Sequence, residues 1–153
     1  MKKTTLLLVV SFFSMYTCYA QELDTIPKST NKITIGLLQG GGSLVGLDFE
    51  QLITENIGIS VGAGFLAYGV SIHYHIKPSI TSSSLAINYM HQGIGDSYVQ
   101  SIVGPSYVIR ISKQFSGQIG MGGIVDKGPQ FKEVYENKTE PNVLFIFSLG
   151  MYF

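Results

Sequence analysis

Residues 143–153 read Val-Leu-Phe-Ile-Phe-Ser-Leu-Gly-Met-Tyr-Phe, and every second one, Val143, Phe145, Phe147, Leu149, Met151 and Phe153, is large and apolar. Successive strand side chains point to opposite sides, so these residues share one face. The other row, Leu144, Ile146, Ser148, Gly150 and Tyr152, turns small and polar toward its end. A soluble edge strand would carry Lys, Glu or Pro against unwanted pairing, yet no charge lies between Pro141 and Phe153. A strand of about ten residues with this pattern, ending on an aromatic ring, fits one stave of a closed barrel that crosses a bilayer.

The preceding chain repeats the pattern. From Asn31 onward, turn-forming clusters separate segments in which large apolar residues alternate with small or polar ones. The predicted strands are 32–39, 43–53, 57–66, 69–76, 82–92, 98–111, 115–125 and 142–153. The expected fold is therefore all-β, an antiparallel up-and-down eight-stranded transmembrane β-barrel. Gly and β-branched residues interrupt every 3.6-residue period, so no helix is expected. An even number of antiparallel strands puts both ends of the barrel on one side, the periplasm for a secreted chain. Residues 54–56, 77–81 and 112–114 then form periplasmic turns, and residues 39–42, 67–68, 93–97 and 126–141 form extracellular loops.

Barrels in membranes place aromatic rings at the two headgroup levels. Phe49, Tyr74, Tyr107, Phe115 and Phe153 fall at the periplasmic ends of the predicted strands, and Phe65, Tyr68, Tyr89 and Tyr98 at the outer ends. A soluble, lipocalin-like periplasmic binder would bury the apolar row and expose charge on the other. That other row reads Gly58, Ser60, Gly62, Gly64 and then Ser84, Ala86, Asn88, small groups suited to a narrow lumen.

The start of the chain fits this destination. Met1-Lys2-Lys3, an apolar stretch to Phe13 and the small residue Ala20 form a signal peptide over residues 1–20. Its apolar core, about ten residues, is half of what a spanning helix needs. Residues 21–31 are polar, contain Pro27 and form a periplasmic N-terminal linker. The outer-membrane barrel domain is 32–153. Cys18, whose other reading is a lipidation site, lies in the leader, so cleavage after Ala20 leaves no cysteine for disulfides or thiolate chemistry. Without Lys2 and Lys3 the 10 basic residues become 8 against 10 acidic ones, a net charge of −2, which gives no electrostatic case for nucleic acid.

Polar residues on the lumen-facing rows carry the chemistry. Asp48, Glu50, His73, His75 and Arg110 all fall there, and charges in so narrow a barrel must pair with one another or with water. The expected role is a structural plug in which Arg110 bridges Glu50 or Asp48. A metal held by the two histidines and the carboxylates is the sharper alternative; no metal or cofactor is expected. For catalysis the residue types that stand out are His91, at the end of its predicted strand, with Asp96 and Ser97 of the third outer loop, which could activate a hydroxyl for acyl transfer or deacylation of lipid. Ser and Asp are also ordinary turn formers, and the expectation is a non-enzymatic protein. The long loop 126–141 mixes both signs of charge with Phe131, Val134 and Tyr135 and is the expected surface for an extracellular protein or surface ligand.

The runs Gly46-Leu-Asp-Phe-Glu-Gln-Leu, Glu55-Asn-Ile-Gly-Ile-Ser-Val-Gly-Ala-Gly-Phe and Gly104-Pro-Ser-Tyr-Val-Ile-Arg-Ile resemble those of the small outer-membrane barrels of Bacteroidetes. The resemblance implies an eight-stranded barrel in contact with outer-membrane lipid. It also implies delivery by the barrel-assembly machinery, to which Met151 and Phe153 would present the C-terminal signal. The usual Gly five residues before the final aromatic is Ser148 here, with Gly at 150. Asp24-Thr25-Ile26 resembles the short O-glycosylation acceptor of the same bacteria.

Overall fold

Because each strand alternates large and small residues, one face can turn outward and the other can close around a narrow interior. The computed structural model describes residues 29–111, 114–136 and 139–153. The expected signal peptide, Cys18, the Asp24-Thr25-Ile26 motif, residues 21–28 of the expected linker, residues 112–113 of a predicted turn and residues 137–138 of the predicted long loop lie outside the described residues. The strands are β1 (Asn31–Leu37), β2 (Val45–Leu52), β3 (Ile57–Gly64), β4 (Ala67–His75), β5 (Ser84–Gln92), β6 (Gln100–Arg110), β7 (Phe115–Lys127) and β8 (Val143–Tyr152). Each pairs antiparallel with the next, and β8 pairs with β1 to close the barrel. Closure abolishes free edges. That is why β8 needs no guarding charge: β7 and β1 cover both its sides.

The polarity of the barrel is the reverse of a water-soluble core. Ile33, Leu47, Val61, Ile72, Leu85, Ile87, Ile119, Phe145 and Phe147 are exposed, Phe145 at 87%. The buried side chains include Thr34, Glu50, Ser60, His73, His75, Asn88, Ser106 and Ser148. One apolar cluster, Met90, Ile102 and Ile146 with Leu144 against it, lies among these polar residues. The aromatic rings Tyr74, Phe115 and Phe153 are exposed at one end, and Phe65 and Tyr68 at the other.

Two sequence expectations about the fold are corrected. Residues 67–68 are not a loop: Ala67 and Tyr68 pair with Gly64 and Ala63, and the turn falls at Phe65 and Leu66, the latter at φ 62°. Helix is present too, as a four-residue turn α1 (Phe131–Val134) and a 3-10 turn at Gly95–Ser97. Gly and β-branched residues do not bar a single turn, which needs no amphipathic period. Residues 39–42 form a loop as expected, and it is folded inward. Gly40, Gly41 and Gly42 adopt φ values of 64°, 83° and 84°, open to residues without a Cβ. They fold the β1–β2 connection back along the inner wall. A Cβ on Gly62 would sit 3.0 Å from Gly40 Cα, and one on Gly69 would sit 3.0 Å from Gly41 Cα. The small row of β3 and β4 is therefore the space the loop occupies.

Gly41→Val tests this packing. A Cβ there meets the Tyr68 carbonyl, and a β-branched residue resists the positive φ. The expected result is a displaced loop, cut by chymotrypsin at Leu38 in the variant and protected there in the wild type. Equal protection in both proteins would contradict it.

Candidate functional site

The inner half of the lumen is built around Glu50. On β2 it points inward, and the register of β2 with β3 and of β3 with β4 brings it near His75. Its Oε1 lies 2.7 Å from His75 Nε2, and its Oε2 accepts a 2.6 Å bond from Arg110 Nη2. His75 is fully buried, and its Nδ1 lies 3.2 Å from the Ser82 carbonyl. Arg110 also stacks over the Tyr152 ring at 4.6 Å, and Lys32 approaches the same ring at 5.0 Å. Of the expected partners, Arg110 thus takes Glu50. Asp48 instead accepts the Gly40 N–H at 3.2 Å, which anchors the inward-folded loop. His73 joins neither carboxylate directly: its ring nitrogens lie 3.0 Å from Ser60 Oγ and 3.3 Å from Ser84 Oγ. No group of three or more metal-ligating side chains forms among the described residues.

A ladder of neutral polar groups fills the middle. Asn88 donates to Ser106 and to the Gly104 carbonyl and accepts from Ser71 and Gln118. Gln118 accepts from Ser148, and Gln39 of the loop donates to Ser148 at 3.1 Å. Sequence alternation identifies such residues as inward-facing but cannot tell which ones meet, because that depends on register. A lumen cavity of about 50 Å³ is lined by Asp48, His73, Asn88 and Arg110 among others. It has room for a few water molecules. Arg110 Nε and Nη1 are buried with no hydrogen-bond partner among the described residues and suit such water.

The described residues of the long connection 126–141 make more contacts than their charges suggest. β7 continues through Lys127, Gly128 N–H donates to the Val99 carbonyl at 2.7 Å, and Gln130 N–H donates to the Tyr98 carbonyl at 3.1 Å. Phe131, expected at a contact patch, is 2% exposed and packs on Tyr135 at 4.8 Å. Val134 remains exposed. Lys127 bridges Glu140 at 2.6 Å in an exposed pair of small energetic weight. Replacing residues 128–140 with a short Gly-Ser turn should therefore lower thermal stability measurably while leaving the barrel closed. An unchanged melting temperature would show that the Phe131 packing contributes nothing.

At the outer rim the outward-facing row changes character around the barrel. On β1, β2, β3 and β8 it ends on Leu37, Val45, Ala63 and Val143. On β4 to β7 it ends on Tyr68, His91, Ser101 and Asp126, successive partners in register. A bulge makes this possible. Ile102 pairs with Ile124 but Ser101 pairs with Asp126, so the extra residue Val125 shifts the alternation and turns Asp126 outward. His91 is stacked between Tyr68 at 4.6 Å and Tyr98 at 4.2 Å. Ser101, 2% exposed, lies 2.9 Å from both His91 Nδ1 and Tyr98 Oη, and 3.2 Å from Tyr89 Oη. Tyr98 donates to Asp126 Oδ2 at 2.7 Å. Burial and the Asp126 carboxylate hold the Tyr98 phenol above its ordinary range, against the opposing bond from Ser101.

The expected grouping of His91 with Asp96 and Ser97 is not formed. Asp96 and Ser97 lie in the exposed 3-10 turn, and His91 bonds to Ser101 and Tyr89 instead. Ser101 was missed because no sequence signal reveals the cross-strand register that sets it opposite His91. Met151 and Phe153 lie on the outward row, and backbone bonds between Phe153 and Ile33 pin the end of the chain to β1. Comparison with protein-family models, curated proteins and solved structures finds no match to this chain.

Proposed function

We propose that this chain is an integral outer-membrane β-barrel protein with a sealed lumen. It acts without catalysis, in a structural role or through contacts of its outer loop 126–141 with an extracellular protein or surface ligand. The observation that carries the reading is the reversed polarity: an exposed apolar belt with aromatic rings toward both ends, around an interior of paired charges and amides. Strands of 7–13 residues match the length that barrels use to cross a bilayer. A soluble lipid carrier needs an apolar pocket in its barrel. Here the lumen is polar, and a loop occupies its outer part. Outer-membrane lipid is then the partner of the apolar belt, and the barrel-assembly machinery is the partner of the C-terminal strand during insertion.

Sealing is tested in planar bilayers. The wild type should give no steady single-channel current, because the Glu50, His75 and Arg110 network blocks the inner half and the Gly40–Gly42 turn the outer half. Large, steady currents from the wild type would contradict the sealed barrel.

A further inference from the structure

The barrel is not equally tall on all sides. β3 has 8 residues and β7 has 13. At about 3.3 Å per residue and a tilt of about 40°, β3 rises about 20 Å and β7 about 33 Å, against an apolar band about 25 Å tall. Counted from Ile57, its first residue after Glu55 and Asn56, β3 therefore ends below the far edge of that band. The chemistry of the two sides follows their heights. Residues 33–47 and 57–72 hold no charged side chain and no histidine, whereas Asp126, Lys127, Lys132, Glu133, Glu136 and Glu140 crowd the long connection at the end of β7.

The outer tips on the short side are apolar. Phe65 is 80% exposed, Leu44 73% and Leu66 46%. They form one patch, because Phe65 N–H donates to the Val45 carbonyl at 3.2 Å and Ser43 Oγ donates to the Phe65 carbonyl at 2.8 Å. The residues on either side of Leu44 are thus both bonded to Phe65. The patch continues the outward row of β3, Ile57, Ile59, Val61 and Ala63, onto the turn itself. Two-residue hairpin turns favour Asn-Gly, Asp-Gly or a leading Gly. This turn is Phe65-Leu66, with Leu66 at φ 62°, a conformation that Gly or Asn adopts with less strain. A bilayer can also thin to meet a short hairpin, but a turn brought to water level gains nothing from two large apolar side chains. We propose that Leu44, Phe65 and Leu66 are embedded at the acyl-chain boundary of the outer leaflet, so that the barrel stands clear of the membrane only on the side of loop 126–141. This placement rests on the outer-membrane reading, and it leaves the charged side as the face open to an extracellular partner.

The chain contains no tryptophan, so a single introduced indole reports its own depth. Residues 21–153 carrying Phe65→Trp, Val134→Trp or Phe147→Trp are folded into phosphatidylcholine vesicles with bromine on the acyl chains, and quenching by the bromine is compared with quenching by aqueous acrylamide. Phe65→Trp should lose most of its emission to bromine and little to acrylamide, with the emission shifted to shorter wavelength. Val134→Trp, exposed in the long loop, should show the reverse. Phe147→Trp, on the outward face of β8, is the control for insertion. Loss of the Phe65→Trp emission to acrylamide instead of bromine, with Phe147→Trp quenched by bromine, would overturn the placement while leaving the membrane reading intact. Protection of Phe65→Trp from both quenchers would mean that protein, such as a second copy of this chain, covers the patch, and would overturn the placement equally. Val134→Trp quenched by bromine as strongly as Phe65→Trp would overturn the one-sided emergence. Failure of bromine to reach Phe147→Trp would overturn the outer-membrane reading itself. If Phe65→Trp does not show heat-dependent gel migration, Leu44→Trp reads the same patch with the same outcomes.

Discussion

Arg110→Ala should destabilise the folded barrel by roughly 3–5 kcal/mol, lessened by whatever water the lumen admits, as measured by urea unfolding in lipid vesicles. The arginine donates to Glu50 at 2.6 Å where both side chains are 4% exposed. Removing it leaves the carboxylate buried, with His75 its remaining close partner. The size of the effect comes from that uncompensated charge rather than from the strength of the pair. Arg110→Met combined with Glu50→Leu should therefore recover much of the loss, since well-packed apolar groups can replace a buried pair at little cost. Arg110→Lys should recover less, because a point charge cannot both reach Glu50 and stack on Tyr152 as the planar fork does. A change below about 0.5 kcal/mol for Arg110→Ala, the ordinary range of a surface substitution, would show that the network does not hold the lumen together.

Phe147→Arg discriminates between a barrel in lipid and one in water. Phe147 lies on the outward face of β8, opposite Ile119 of β7, and both are exposed. In lipid, an arginine near mid-membrane should cost about 2–4 kcal/mol, with a smaller penalty toward either rim. In a water-soluble barrel the same exposed position would accept arginine with little effect. Equilibrium unfolding of the two proteins in the same vesicles reads the difference, and Phe147→Leu serves as a control that keeps the face apolar. Indifference to Phe147→Arg would count against lipid contact at this position.

The eight strands were legible because alternation is a local property: Val143 to Phe153 declares its two faces without reference to any other strand. Their ends were close to the predicted ones wherever Gly, Asn or Pro marked a turn. The exception was Ala67 and Tyr68, where Leu66 takes a positive φ that its side chain gives no sign of. The lumen charges were legible as a set, but their pairing was not. Asp48 and Glu50 are two residues apart on one face, and only the inward course of the Gly40–Gly42 loop explains why Asp48 takes a backbone N–H and Glu50 takes the arginine. Three consecutive glycines were the available signal for that loop. The small residues Gly62 and Gly69 opposite them were a second one, readable once their cross-strand neighbours are known. The outer-rim cluster was least legible. A bulge at Val125 turns Asp126 outward beside Tyr98, and bulges leave little trace in a single sequence.

The central claim, a sealed barrel that resides in the outer membrane, is tested most directly by gel migration of residues 21–153 after incubation with lipid vesicles, with and without boiling. The account predicts that unboiled protein runs faster than boiled protein and that the shift requires lipid or detergent, because only an apolar environment can cover the belt from Ile33 to Phe147. A folded, monodisperse protein in plain aqueous buffer, with the same migration boiled or not, would contradict it.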